Sequence, residues 1–392
     1  MIEQRKSVYF TMGCFVHAML AFIVGVGAQA CKKNTSSQAT ASDSSQALEP
    51  APAPVYATDI ALGSKHFCTV KFDSTVACAG SNTYGQLGDG TTVGRSFTAA
   101  VKIITSVKSI SSSDSHVCAV LYNNGVACWG KNDQGQLGDG TTKDSSIPIV
   151  VMGLNNVTRL ALGASHSCAL LEDQTVHCWG SNSHGQLGTG SKDLQGLTPG
   201  VAILNNVSDI RSQLNHNCAL INSGGVKCWG DNSNGQLGDG SNLKRSVPVD
   251  VSNLRPAESI GVGAAHSCAV MQDNSVYCWG SNEFQQLGVS NTTAQSNLAL
   301  AVGGVANARD LFLGSNHSCA LMKDLTTKCW GDHSQGQFLS VMSANDRPVL
   351  ATPTPVNNII RETSFGNDTC VIHMNNQVAC WGPSITNTSS QQ

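Results

Sequence analysis

Charge is scarce in this chain. Lys, Arg, Asp and Glu together make up 12% of its 392 residues, about half of the ~25% usual in soluble domains. The formal net charge is −3, and no basic run exists beyond Lys32-Lys33. Nucleic-acid binding needs clustered cations that displace counterions, so no nucleic-acid partner is expected. Also absent are G-x-S-x-G, H-E-x-x-H and a phosphate-binding loop. Without them no catalytic constellation stands out, and no metal or cofactor is expected. DNSNG at Asp231 lacks the glutamate that a calcium loop requires. No 3.6-residue apolar periodicity persists after residue 50, which excludes a helical fold.

Cysteine is abundant by contrast, with 16 residues. Seven of them, Cys68, Cys118, Cys168, Cys218, Cys268, Cys319 and Cys370, recur at a spacing of 50 or 51. Each is followed ten residues later by a second: Cys78, Cys128, Cys178, Cys228, Cys278, Cys329 and Cys380. A fixed period of this size marks a repeat architecture. The third unit shows how one repeat is filled. PIVVM from Pro148, VTRLALG from Val157, HSCALL from His166 and TVHCWG from Thr175 are β-prone stretches separated by Gly, Asn, Asp and Ser. Four strands in each of seven units predict an all-β, seven-bladed β-propeller. A linear β-solenoid is the competing architecture, though its coils are usually shorter than 50 residues.

The pattern H-x-C-A-[LV], C-W-G-x-N and G-Q-L-G-D-G resembles the regulator of chromosome condensation repeat, over about Ala57 to Gly382. The resemblance implies a seven-bladed propeller in which strands from the two chain ends complete one blade together. GQLG stands at Gly85, Gly135, Gly185 and Gly235, while the fifth unit reads QQLG from Gln285 and the sixth GQFL from Gly336. The seventh unit stops after Cys380-Trp381-Gly382, and the first has Ala79 where the others have Trp.

The first residues read as an export signal. Arg5 and Lys6 precede an apolar run from Phe10 to Val26, which ends in Ala28-Gln29-Ala30-Cys31. Cys31 resembles the lipidated cysteine of a bacterial lipobox, with Ala28 where such boxes usually carry Leu. An ordinary signal-peptidase site is the alternative, and a transmembrane anchor would need a longer run. The expected organisation is a signal peptide at 1–30, a lipidated cysteine and disordered linker at 31–54, the propeller at 55–382 and a polar tail at 383–392. The protein is thus expected to be an exported, membrane-anchored bacterial lipoprotein of the outer membrane or cell surface.

Cys168 and Cys178 are symmetric about Asp173, so a short hairpin places them opposite each other, within disulfide range. Export would oxidise them. The predicted bonds are Cys68–Cys78, Cys118–Cys128, Cys168–Cys178, Cys218–Cys228, Cys268–Cys278, Cys319–Cys329 and Cys370–Cys380. Reduced core thiols and zinc ligation are the alternatives, the latter poorly served by directly opposed cysteines. His66, His116, His166, His216, His266 and His317 each lie two residues before a cysteine. Six copies predict a blade-building role, with the imidazole bonding a neighbouring backbone group. The Trp after the second cysteine is expected to pack between blades, and the GQLG glycines to supply positive φ.

Function should reside where equivalent positions differ. One such position lies in the third turn: Tyr84, Gln134, His184, Asn234, Phe284 and Gln335. These residues form the candidate binding ring, with Tyr84 and Phe284 as aromatic anchors. The expected function is a non-enzymatic protein-binding scaffold, a monomer whose partner is an envelope or extracellular protein. Guanine-nucleotide exchange, implied by the resemblance, and an envelope glycan-acting enzyme are the alternatives. The second would need paired carboxylates, whereas Asp89, Asp139 and Asp239 recur in GDG turns.

Overall fold

The computed structural model describes residues 55–289, 293–336 and 359–383. Every regular element among them is a β-strand. The strands form seven antiparallel sheets in chain order, five of them four-stranded and two three-stranded among the described residues. The molecule is a seven-bladed β-propeller.

In blade four the inner strand is Val207–Gln213, followed by His216–Ile221, Val226–Gly230 and the outer strand Arg245–Asp250. The hairpin register brings Cys218 directly opposite Cys228. The same opposition recurs in every blade, and an S–S bond joins each of the seven pairs at a sequence separation of 10. The sulfurs that zinc would need are therefore bonded to each other.

The blades are phased differently from the units. The strand containing PIVVM, Ser145–Val150, is the outer strand of blade two, where Ile149 pairs with Cys128. Each unit therefore begins with the last strand of the preceding blade. In blade three the outer strand shrinks to Gln195–Gly196.

The core lies between the blades rather than within them. Seven apolar clusters fill the seven interfaces, each drawing on two neighbouring sheets. Cys168 and Cys178, for example, pack with Leu187, Ile210 and Trp229 between blades three and four. A single sheet has two faces, and in a ring both are covered, which explains strands buried at nearly every position, such as Val126–Gly130.

The first and last described segments meet between blades seven and one. The carbonyl of Val55 accepts from the Val378 amide at 2.9 Å, and the carbonyl of Asn376 accepts from the Ala57 amide at 3.0 Å. Tyr56 and Gln377 thus form an antiparallel bridge. Arg361 and the buried Asp59 add an ion pair across this seam at 2.7 Å. The export signal, Cys31 and the linker fall on 1–54, and most of the tail on 384–392; these lie outside the described residues.

Candidate functional site

The turn that carries the candidate ring is built by one asparagine. Asn132, the Asn of C-W-G-x-N, accepts from the Leu137 amide through Oδ1 at 2.9 Å. Its Nδ2 donates to Asp139, to the carbonyl of Thr141 and to that of Lys143. Asn82 and Asn232 do the same in blades one and four. Gln136 Oε1 accepts from the backbone of the ring residue Gln134 at 2.8 Å, and the corresponding bonds hold Tyr84, His184, Asn234 and Phe284. The backbone at the ring position is thereby fixed while its side chain is left to vary. Gly85 has φ 80°, as the turn requires, and Gln285 holds φ 63° where glycine is missing.

These turns place the six candidates one per blade, at the same end of the strands. Phe284 and Gln335 are exposed, Gln134, His184 and Asn234 half-buried. Tyr84 is exposed at its edge, and the Lys131 ammonium of blade two sits 5.3 Å from its ring centre. The aspartates of the GDG turns are committed to the same frame. Asp89 accepts from the Thr91 amide and hydroxyl and pairs with Arg95 at 2.6 Å. Burial raises its carboxyl pKa, but the Thr91 and Arg95 contacts outweigh this and hold it below the usual range. Asp239 repeats the arrangement with Ser241 and Arg245. These carboxylates build turns and do not supply the pair that glycan hydrolysis needs.

The recurring histidines bond differently from expectation. His116 Nε2 lies 2.9 Å from Ser167 Oγ of the next blade, not from a backbone group. Ser167 Oγ donates to the carbonyl of Gln136 at 2.9 Å, and that carbonyl also accepts from Trp179 Nε1 at 2.9 Å. His, Gln, Ser and Trp thus lock blade two to blade three. Asn217, Ser267 and Ser318 take the place of Ser167 at the next three interfaces. The backbone of the neighbouring sheet is already used in its own ladder, which leaves side chains as the available partners. The close seat of the imidazole explains Gly163: a Cβ there would collide with the His166 ring. Burial pushes the imidazoles down, His66, His166, His216 and His317 to about 4 and His116 and His266 to about 3. With the cysteine beside each of these histidines oxidised, a Cys–His nucleophile pair here has no thiol to offer.

The bore of the ring holds a network that the sequence reading missed. A cavity of about 480 Å³ is lined by the inner strands. Arg159 pairs with Asp209 at 3.0 Å, Arg211 with Asp209 at 3.1 Å, and Ser259 Oγ donates to Asp310 at 2.6 Å. The signal was present: Asp59, Ser109, Arg159, Asp209, Ser259, Asp310 and Arg361 stand at one equivalent inner-strand position. The ions are paired with one another, so the network ties inner strands together.

Glu362 is the exception. Its equivalents are Ile60, Ile110, Leu160, Ile210, Ile260 and Leu311, all buried. Burial pushes its carboxyl up to about 8, against a bond from Thr327 and helped by the charge of Asp310. A raised folded pKa means that its stabilising contribution is complete below the unfolded value of 4.5 and is lost as pH rises towards 8. Glu362→Leu is expected to stabilise the protein, and its advantage over wild type should grow by about 2 kcal/mol between pH 6 and pH 8. Urea unfolding at both pH values checks this; a pH-independent difference would show that the carboxyl is ionised throughout.

Comparison with known proteins bears on this arrangement. The family described as RCC1-like domain matches residues 23–372. No curated protein matches by sequence. Human WBSCR16 is similar in structure, with TM-score 0.68 and 18% identity over 79% of this chain and 84% of its own. Yeast RCC1 (Prp20), solved bound to Kap60, gives TM-score 0.66 and 23% identity over 82% and 79%. The CRINKLY ectodomain of the Arabidopsis thaliana receptor kinase ACR4 gives TM-score 0.51 and 18% identity over 83% and 94%. At these identities the structural likeness speaks for the fold alone.

Proposed function

The chain belongs to the RCC1-like domain family, and from that premise we propose that it is a non-enzymatic, protein-binding propeller displayed on a bacterial envelope through a lipid on Cys31. The observation that carries the reading is the turn frame. Buried Asn and Gln side chains hold the same backbone in successive blades, while the residues presented there are Tyr84, Gln134, His184, Asn234, Phe284 and Gln335. A rigid support under varied side chains is what a recognition surface needs. Seven disulfides suit an oxidising, exported location. Among the structural relatives, yeast RCC1 is found bound to the protein Kap60, a precedent for protein binding, and the ACR4 propeller is an ectodomain, a precedent for the fold outside the cell. Guanine-nucleotide exchange would need a GTPase in a reducing compartment, at odds with those disulfides.

The test uses affinity capture from envelope extracts, followed by titration of the recovered partner. Tyr84→Ala combined with Phe284→Ala is expected to weaken binding by at least tenfold, since aromatic anchors typically contribute 2 kcal/mol or more, roughly, each. Cys31→Ser should release a folded protein from membranes. Undiminished binding by the double variant would move the site to other loops, and unchanged membrane partition of Cys31→Ser would remove the lipid anchor.

A further inference from the structure

The opposite end of the strands carries an asymmetric apolar arc. Four residues after the first cysteine of each blade, in its central hairpin loop, stand Phe72, Tyr122, Glu172, Asn222, Gln272, Lys323 and Met374 in chain order. The apolar ones fall on three consecutive blades of the ring, seven, one and two, and are well exposed: Met374 59%, Phe72 63%, Tyr122 64%. Between the blade-one and blade-two hairpins the connecting segment adds Ile103, at 84% exposure. Tyr56 and Ile360, each 48% exposed, belong to the same sector. The equivalent hairpins of the remaining four blades carry only polar or charged residues at this position.

Ile103 makes the arc more than a chance of composition. Its φ is 61°, in the left-handed region, which β-branched residues avoid. The equivalent linker positions are Gly153, Asn253 and Gly304, with φ of 78°, 58° and 71°. Those residue types adopt this backbone readily. At blade one a strained residue with no buried contact to gain stands in their place, so its use lies in what it presents outward.

We propose that this arc of blades seven, one and two rests on a lipid bilayer surface. The occupant follows from where the chain enters. The described chain starts at Val55, inside the arc, and is preceded by 54 residues that include the apolar run Phe10 to Val26. Whether that run is removed and Cys31 lipidated or is retained, the membrane attachment lies upstream of Val55. Lys71 and Lys108 are exposed in the same sector and suit anionic headgroups, with Asp73 the acidic residue beside them. Aromatic and aliphatic tips beside lysines are the composition of an interfacial contact. The consequence for the ring of variable turn residues is orientation: it points away from the bilayer, towards partners. The inference rests on the reading that the N-terminal segment holds the protein at a membrane.

The experiment is hydrogen exchange on the full-length protein, free and bound to vesicles of phosphatidylethanolamine and phosphatidylglycerol. Amides of 71–75, 102–106 and 121–125 are expected to exchange several-fold more slowly on vesicles, with 171–175 and 221–225 unchanged. Phe72→Ser with Tyr122→Ser should abolish the difference while the protein stays attached. Ile103→Asn, which relieves the backbone, should reduce it without loss of folding. Attachment with uniform exchange around the ring would overturn the arc alone. Failure of the full-length protein to attach at all would overturn the membrane reading as well. Protection of the same hairpins by envelope proteins without lipid would replace the bilayer with a protein partner.

Discussion

Lowering the pH from 7 to 5 is expected to unfold the propeller. Six buried imidazoles have folded pKa values pushed down to about 3 or 4 from 6.5. A depressed folded pKa gives stability that is complete above 6.5 and is lost as pH falls towards those values. At pH 5 each histidine costs about 2 kcal/mol, and six together cost on the order of 10 kcal/mol. That is comparable with the ~5–15 kcal/mol that holds a typical domain. The loss has a clear structural route, since each protonated ring would sit charged and fully buried at a blade interface. Tryptophan fluorescence during acid titration reads it directly, because Trp129, Trp179, Trp229, Trp279 and Trp330 lie in those interfaces. His166→Gln should lower the slope of stability against pH by about 1.4 kcal/mol per pH unit below 6.5. A protein equally stable at pH 7 and pH 5 would mean that the rings are not buried in their neutral form.

Complete reduction is expected to abolish the fold. Each bridge closes a loop of ten residues' separation and contributes roughly 2.7 kcal/mol by the loop-entropy relation. Seven of them sum to on the order of 20 kcal/mol, above the net stability of ordinary domains. The sulfurs are buried to within a few per cent in blades one to six, so a dithiol reaches them only through opened states. Reduction should therefore proceed at the rate of unfolding. Cys168→Val with Cys178→Val, which removes one bridge and keeps an apolar pair, should cost about 3 kcal/mol. A fully reduced protein with an unchanged unfolding midpoint would contradict this account.

Much of the ring was legible before any coordinates. The 50-residue period fixed the blade count, and the ten-residue spacing fixed which cysteines face each other. Both follow from local geometry that a sequence carries openly. Three features were harder to read. The Ser145–Val150 strand belongs to the preceding blade because its hydrogen bonds run to Val126–Gly130, and pairing partners are not written in composition. The histidine partner was misjudged because it lies 51 residues away in another sheet. The bore charges were overlooked because they are few, although their equivalent positions are regular. The candidate ring is legible only as a column of differing residues, and nothing in that column names the ligand.

One interface is made unlike the others. Between blades seven and one, Ala79 occupies the place of the Trp, and Phe67 that of the hydroxyl or amide side chain which Ser167, Asn217, Ser267, Ser318 and Thr369 supply to the preceding blade's histidine. The backbone bonds beside Tyr56 and Gln377 and the Asp59–Arg361 pair, which has a counterpart in Arg159–Asp209, remain to join the two blades. These contacts join residues more than three hundred positions apart, the most non-local among the described residues, and loop closure of that length is slow to be rewarded. Six interfaces can form from neighbours as the chain emerges, in the manner of an open stack. The seventh waits for the last strand. A chain passing through a membrane from its N-terminus thus remains an open crescent, its first blade uncapped on one side, until residues near 378 arrive. Truncations before that point remove Cys380 and leave at most six bridged hairpins and no closed ring.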